Sequence, residues 1–518
     1  MDVSFSNRLN IARLGGDKSA AVRSLTVEGL LIDGHALGAS HLLSSGIDVG
    51  FVGESISLYD IFSPALLSLA SQLNREGLIT DYVRLASESS IAEKQTEEPI
   101  VVAITTTLYT SARPVRKIVR WIRKYMPASH IVVGGPWIMT AHNEFDSSTF
   151  NYLGADSYIV SGEGGAELIS LVKGFRAGKL EACKGIVLKR DGDWQRTQPL
   201  NSNTLSMPVG HDVDWKSYAH EIGTFAFVGT AKSCVFKCGF CDFIEREGKY
   251  KPFDVEGTLR VLDSIEAIGT VKSVVFVDDT LNVPAKRFIA LLNAMIARKY
   301  NFKWSGFFRC DWANNEAFEM LQKSGCEFLK LGLESGSQTV LNAMGKRASV
   351  EKYEFALQKL NAMKMPYWCS FLTGYPGETL QTIEETKQFI TNNDLFLYRV
   401  SPWYCSTLTR VFREREKHGL KGTGYNWSHT TMDIDGAINA AEYLSQGCGV
   451  SMHLPLLVVE DAISLLHRGI SWEQVRQFIA AFNSAVSPSI SSGAFIECNE
   501  KSKLELNAAR AGLRVNFE

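Results

Sequence analysis

The sequence predicts an α/β protein in three parts: an N-terminal doubly wound parallel sheet, a central partial barrel of six strand–helix units and a small helical cap. Three observations carry this reading. Apolar strand-like runs alternate with amphipathic helical patterns through the first third of the 518 residues. Six further strand–helix units fall between residues 222 and 405. After Cys405 the alternation stops and helical periodicity takes over. The expected boundaries are 1–205, 206–405 and 406–518.

Bulk properties narrow the class. With 45% apolar and 21% charged residues, the composition is that of a globular protein. A net charge of −2 gives no electrostatic basis for binding nucleic acid or an anionic membrane. No apolar run of about 18 residues and no basic-then-apolar leader appears, so membrane insertion is not expected and a cytoplasmic location is. The ten cysteines are scattered except for one stretch, which fits free thiols rather than a disulfide framework.

In the first third, an apolar run ends in Asp33-Gly-His35-Ala-Leu-Gly38, a strand entering a loop. Pro64 to Glu76 is helical in period and is closed by Gly77. Strands are expected over Leu78 to Leu85 and Pro99 to Thr107, with a basic amphipathic helix from Pro114 to Tyr125. Another strand ends in Gly134-Gly135-Pro136. Tyr158 to Glu167 reads as a strand, a glycine turn containing Gly162-Glu163 and a helix start. Ligands of such sheets sit at the carboxyl ends of the strands.

The chemistry is concentrated in the loop after the first strand of the central part. Cys234, Cys238 and Cys241 have the spacing C-x3-C-x2-C, with Phe240 just before the last. Thiolates hold iron–sulfur clusters, and three of them leave one iron of a cubane open. A small molecule bearing an amine and a carboxylate can chelate that iron, the arrangement that radical chemistry from S-adenosylmethionine requires. A zinc site would want a fourth nearby ligand, and none follows. The remaining strands are expected near 272–279, 303–310, 327–335, 366–374 and 395–401. Their ends carry polar groups: Asp278-Asp279, Arg309, Glu334-Ser335-Gly336 and Gly374-Tyr-Pro376-Gly-Glu-Thr379, with Met344-Gly-Lys346 after the fourth. Asp279 also suits a helix N-cap, and Lys346 an exposed helix end. Arg309 offers a guanidinium fork that suits a carboxylate.

The cysteine spacing and these strand ends resemble the radical S-adenosylmethionine superfamily. The order of the upstream pieces is similar to the cobalamin-binding domain that precedes many of its barrels. There Thr106-Thr-Leu108 stands at an S-x-L position, Gly134 and Gly135 follow, and Gly162-Glu163-Gly164 matches the closing turn. Asp33-x-His35-x-x-Gly38 matches the motif whose histidine ligates cobalt, though the long interval to Thr106 leaves a plain turn histidine open. The alternative reading is a relic sheet that binds no corrinoid.

The resemblance implies a [4Fe-4S] cluster on the three cysteines, S-adenosylmethionine near Phe240, Asp278, Arg309, Glu334, Ser335, Lys346, Gly374 and Pro376, and cobalamin upstream. It implies carbon methylation of a small molecule or peptide, with cyclisation, rearrangement or oxidation as the alternative, and a low-potential donor such as flavodoxin or ferredoxin. Methylthiotransferases need three further N-terminal cysteines, and only Cys183 precedes the loop. In the C-terminal part, Tyr404 and His429 are candidates for proton handling, against a purely structural aromatic loop. Helices over Val458 to His467 and Ser471 to Ala485 are expected to close the active site.

Overall fold

The computed structural model describes residues 29–32, 64–83, 88–94, 101–106, 112–139, 147–161, 164–199, 207–220, 222–454, 459–492, 505 and 508–509. His35, Gly162 and Glu163 lie outside these residues.

The first sheet runs through β1 (Gly29–Ile32), β2 (Thr80–Val83), β3 (Val101–Thr105), β4 (His130–Gly134), β5 (Ser157–Ile159), β6 (Ile186–Arg190) and β7 (Asp193–Arg196). Its order is β2-β1-β3-β4-β5-β6-β7. The first five strands are parallel, as expected. β4 is apolar along nearly its whole length because helices cover both faces of such a sheet. Between the strands lie α1 (Pro64–Arg75), α2 (Glu88–Ala92), α3 (Ala112–Tyr125), α4 (Ser147–Leu153) and α5 (Gly165–Arg176). Helix α3 buries Val115, Ile118, Val119 and Ile122, the i, i+3, i+4, i+7 stripe of a surface helix. The order reverses between β1 and β3, where Ile32 pairs with Ile104, so the switch-point crevice opens at the ends of these two strands.

Two strands extend the sheet beyond the expectation. β6 and β7 are antiparallel and joined at Asp191-Gly192, both at positive φ (51° and 92°). An Asp-Gly pair at positive φ is the usual two-residue hairpin turn.

The second sheet contains β8 (Phe225–Val228), β11 (Ser273–Phe276), β12 (Lys303–Phe307), β13 (Cys326–Glu334), β14 (Tyr367–Thr373) and β15 (Leu397–Pro402), each paired in parallel with the next. A small antiparallel ribbon, β9 (Ala231–Lys232) with β10 (Lys251–Pro252), frames the cysteine loop. The flanking helices α6 (Val255–Glu266), α7 (Ala285–Arg298), α8 (Asn315–Lys323), α9 (Val350–Ala362) and α10 (Leu380–Asn392) cover the outer face. Along β13, Leu329, Leu331 and Leu333 join the outer core. Lys330 and Glu334 take the opposite, inner face, where each finds a polar partner.

Strands β11 and β12 stop about three residues short of their expected ends, and β8 ends at Val228. Side chains have replaced the ladder there. Asp278 accepts from the Thr230 and Ala231 N–H groups. Asn282 donates to Arg309 O (2.9 Å) and accepts from Arg309 N (2.8 Å). Residues 207–220 lie against α1: Asp212 accepts from Gln72 at 2.7 Å, and Tyr218 from Asn74 at 2.8 Å.

The last part is helical, with α11 (Ile434–Ser445), α12 (Val459–His467) and α13 (Trp472–Ser492). The expected capping box opens α13, Gln474 N donating to Ser471 Oγ (3.3 Å) and Ser471 N to Gln474 Oε1 (2.9 Å). Helices α12 and α13 sit at the end opposite to the expected one, whereas Ser406, Arg413 and His429 lie at the expected one. His467 meets Ser273 and Glu327 and stacks on Phe225, all at strand starts. Trp472 packs on Phe328, and Glu460 pairs with Lys330 inside the barrel. These contacts place α12 and α13 over the strand starts. Among the described residues, no helix is long and apolar enough to cross a membrane.

Candidate active site at the strand ends

The cysteine loop leaves β9 through Ser233, held at φ 63° with its hydroxyl on Gly248 O (2.7 Å). It is braced on three sides. Gly239 N donates to Met344 O (2.7 Å), and Val411 N donates to Gly239 O (3.2 Å). A Cβ at Gly239 would strike the Tyr375 hydroxyl, so glycine is required by close approach. Ser406 Oγ donates to Asp242 Oδ2 at 2.9 Å, and Arg413 pairs with Glu245 at 2.8 Å. Thr280 Oγ1 stands 3.7 Å from Cys234 Sγ, and Phe243 N donates to Cys241 Sγ at 3.5 Å.

Burial pushes the Cys241 thiol up to about 12, although the residue is solvent-accessible. Both hold if the thiol lines a recess, open on one side and crowded by protein on the others. Asp279 shows the same pairing of exposure with a carboxyl raised to about 7, by burial first and Asp278 second. Burial also raises the Cys238 thiol, against the pull of Lys346 and Arg309. Thiols that resist ionisation in this way become thiolates readily when a metal supplies the compensating charge. Among the described residues, no three His, Cys, Asp or Glu side chains converge on one ion. A cubane gives each thiolate its own iron, so its ligands stand further apart than those of a single ion. The donor set fits a cluster.

The other candidates divide into those that face this recess and those that hold it together. Lys346 is buried rather than exposed, its Nζ 3.4 Å from Glu334 Oε1 and 5.8 Å from the Phe240 ring centroid. Glu334 sits at φ 69°, a conformation L-residues rarely adopt, and also accepts from Ser370 at 3.4 Å. Arg309 lies beside the loop, over the Phe236 ring at 4.1 Å. Its fork is already engaged by Asp311 (2.8 and 2.7 Å), which removes the geometry the carboxylate expectation relied on. Ser335 turns away from the recess: its hydroxyl lies 3.2 Å from Thr386 Oγ1 and accepts from Ser337 N at 3.1 Å. Asp278 is likewise enclosed, accepting from Thr230 N, Thr230 Oγ1 and Ala231 N.

His429 is a structural histidine. Its Nε2 is 2.9 Å from Gly374 O, its Nδ1 lies beside Thr431 N and Oγ1, and its ring stacks on Trp427. With both nitrogens engaged, it holds the Gly374–Pro376 turn. Tyr404 packs edge-on against Tyr425. In the upstream sheet, Thr106 Oγ1 donates to Gly134 O (2.8 Å), and a Cβ on Gly135 (φ 100°) would strike Thr106 N. These residues lock the ends of β3 and β4 together. The brace from Ser406 to Arg413 had no sequence signature beyond Thr409, which caps a helical turn there.

A profile of the radical S-adenosylmethionine superfamily matches residues 229–390. An uncharacterized methyltransferase of Pyrococcus horikoshii is 24% identical over 327 residues, 62% of this chain and 69% of the relative. The anaerobic magnesium-protoporphyrin IX monomethyl ester cyclase of Cereibacter sphaeroides is 28% identical over 379 residues, 65% of this chain and 56% of the cyclase. The chain spans 48% of a second such cyclase, from Rubrivivax gelatinosus. Among solved structures, the methyltransferase TsrM of Kitasatospora setae aligns over 75% of this chain and 76% of its own, with TM-score 0.58 and 17% identity. The cobalamin-dependent radical enzyme OxsB aligns over 95% and 79%, with TM-score 0.60 and 14% identity. The structural likenesses show a common fold, and the profile covers the cysteine loop and the strand ends through β14. Residues 229–390 thus carry the match to the radical S-adenosylmethionine superfamily, and the fold as a whole is similar to that of TsrM and OxsB.

Proposed function

We propose that this protein is a cobalamin-dependent radical S-adenosylmethionine methyltransferase acting at carbon. The observation that carries the reading is the pairing of a three-thiol loop at one barrel mouth with an upstream switch-point sheet. A cluster held there with S-adenosylmethionine would supply radical chemistry, and cobalamin would supply a methyl carrier. The chain's own part is placement. Cys234, Cys238 and Cys241 would hold the irons, and Lys346, Glu334 and the Gly374–Pro376 turn would meet S-adenosylmethionine. Asp279 offers a carboxylate to the same recess. The helices at the other mouth exclude water from below. Thr106, Gly134 and Gly135 would shape the corrinoid crevice, with His35 a candidate lower ligand.

The substrate is a small molecule or peptide, and the electron comes from a low-potential donor such as flavodoxin or ferredoxin. The three-part division at about residues 205 and 405 and a cytoplasmic location belong to the same proposal. The described cysteines are all free, in keeping with a reducing compartment.

Anaerobic reconstitution with iron, sulfide and hydroxocobalamin tests the reading by metal analysis and absorption spectroscopy. About four irons and about one cobalt per chain are expected. Four irons without retained cobalt would remove the basis for methyl transfer. Deoxyadenosine release with no methylated product would favour the cyclisation or oxidation alternative.

A further inference from the structure

Two aromatic residues of the cysteine loop each carry a buried cation, and each cation has its own acid. Phe236 lies between Arg309, whose Cζ is 4.1 Å from the ring centroid, and the edge of Trp312 at 5.2 Å. Phe240 lies between Lys346, at 5.8 Å, and the edge of Tyr375 at 6.5 Å. Arg309 is tied bidentately to Asp311, whereas Lys346 meets Glu334 at only 3.4 Å. Arg309 Nη2 also donates to Lys346 O at 3.1 Å, so the two clamps form one unit. Lys346 and Arg309 are 3% and 6% exposed, too buried for salt to screen their charges effectively.

The clamps differ in electrostatic consequence. A bidentate Arg–carboxylate pair is compact and close to neutral from a distance. The longer Lys346–Glu334 contact leaves a separated positive and negative charge on the inner face of the barrel. Lys346 is held beside the cysteine loop, its Nζ 5.8 Å from the ring of Phe240, which lies between Cys238 and Cys241, and Gly239 N donates at 2.7 Å to Met344 O, two residues before Lys346.

We propose that Arg309 and Lys346 clamp the cluster loop through Phe236 and Phe240, and that Lys346, opposed by Glu334, sets how readily the cluster accepts an electron. The step concerned is a one-electron reduction of the cluster by an external low-potential donor, with no bond made or broken. The inference rests on the assignment of a [4Fe-4S] cluster to Cys234, Cys238 and Cys241. A positive charge held beside the cluster stabilises its reduced, more negative form, and a negative charge does the reverse.

The test is a redox titration of the reconstituted full-length chain, followed by electron paramagnetic resonance without S-adenosylmethionine. Lys346→Met is expected to lower the reduced-to-oxidised ratio about tenfold at a fixed solution potential. Lys346→Arg should restore it, and Glu334→Gln should raise it. Unchanged ratios with full iron content, or shifts of the same sign in Lys346→Met and Glu334→Gln, would overturn the proposal. If Lys346→Met loses its iron, the sign of the Glu334→Gln shift decides alone. A wild-type chain that holds no iron would instead remove the cluster assignment itself.

Discussion

At the turn after β14, Glu378 is 1% exposed, and its carboxylate accepts the Gly374 N–H. Burial nevertheless raises its carboxyl from 4.5 to about 7. Between these values the folded chain holds a proton that the unfolded chain has lost. Stability is therefore expected to fall as pH rises from about 4.5 to about 7, by up to about 1.4 kcal/mol per pH unit. Glu378→Gln should flatten that decline in melting temperature measured across the range. His429 gives a second residue-scale prediction. Replacing His429 by Ala removes the partner of Gly374 O and is expected to cost about 0.5–1.5 kcal/mol, read as weaker S-adenosylmethionine binding by calorimetry. His429→Gln, which keeps a donor, should bind nearly as well. Loss of turnover in the Gln variant with binding intact would return His429 to proton handling.

At the scale of the element, the strand ends of the barrel depend on side chains acting as backbone. Asp278 accepts three hydrogen bonds from Thr230 and Ala231, next to the ribbon that starts the cysteine loop. Asp278→Ala leaves buried donors unpaired, which is expected to cost about 1–3 kcal/mol in denaturant unfolding and to lower iron retention. Such partners explain what was legible in the sequence. Strands and helices declared themselves through their own periodicity, and the cysteine loop through local spacing. The engagement of Arg309 by Asp311 lay two residues away yet was missed, because spacing does not say where a fork points. The β6–β7 hairpin is carried by Asp191-Gly192, a two-residue signal too local to stand out against the longer alternation of strands and helices.

At the scale of the whole molecule, the barrel has two mouths with different chemistry. The three cysteines, Lys346 and Glu334 crowd the strand-end mouth, and α12 and α13 lie over the other. The placement of those helices was not legible, because their apolar faces fit either opening. Glu460 reaches Lys330 on the inner face of β13, where their side chains are 8% and 11% exposed. Glu460→Ala should leave that ammonium buried and unpaired, at a cost of about 3–5 kcal/mol. Pairing Glu460→Leu with Lys330→Met should recover most of the loss, and a double-mutant cycle on unfolding midpoints would measure the coupling.

The brace of the cysteine loop also has a consequence for the order of synthesis. Asp242 and Glu245 are secured by Ser406 and Arg413, which lie 164 and 168 positions downstream. At about 5–20 residues per second, translation takes roughly 10–35 s to pass from one to the other. During that interval the three thiols have left the ribosome without the wall that will hold them. Loading of iron therefore belongs after the barrel has closed, and a nascent chain stalled before Ser406 is expected to emerge without its metal.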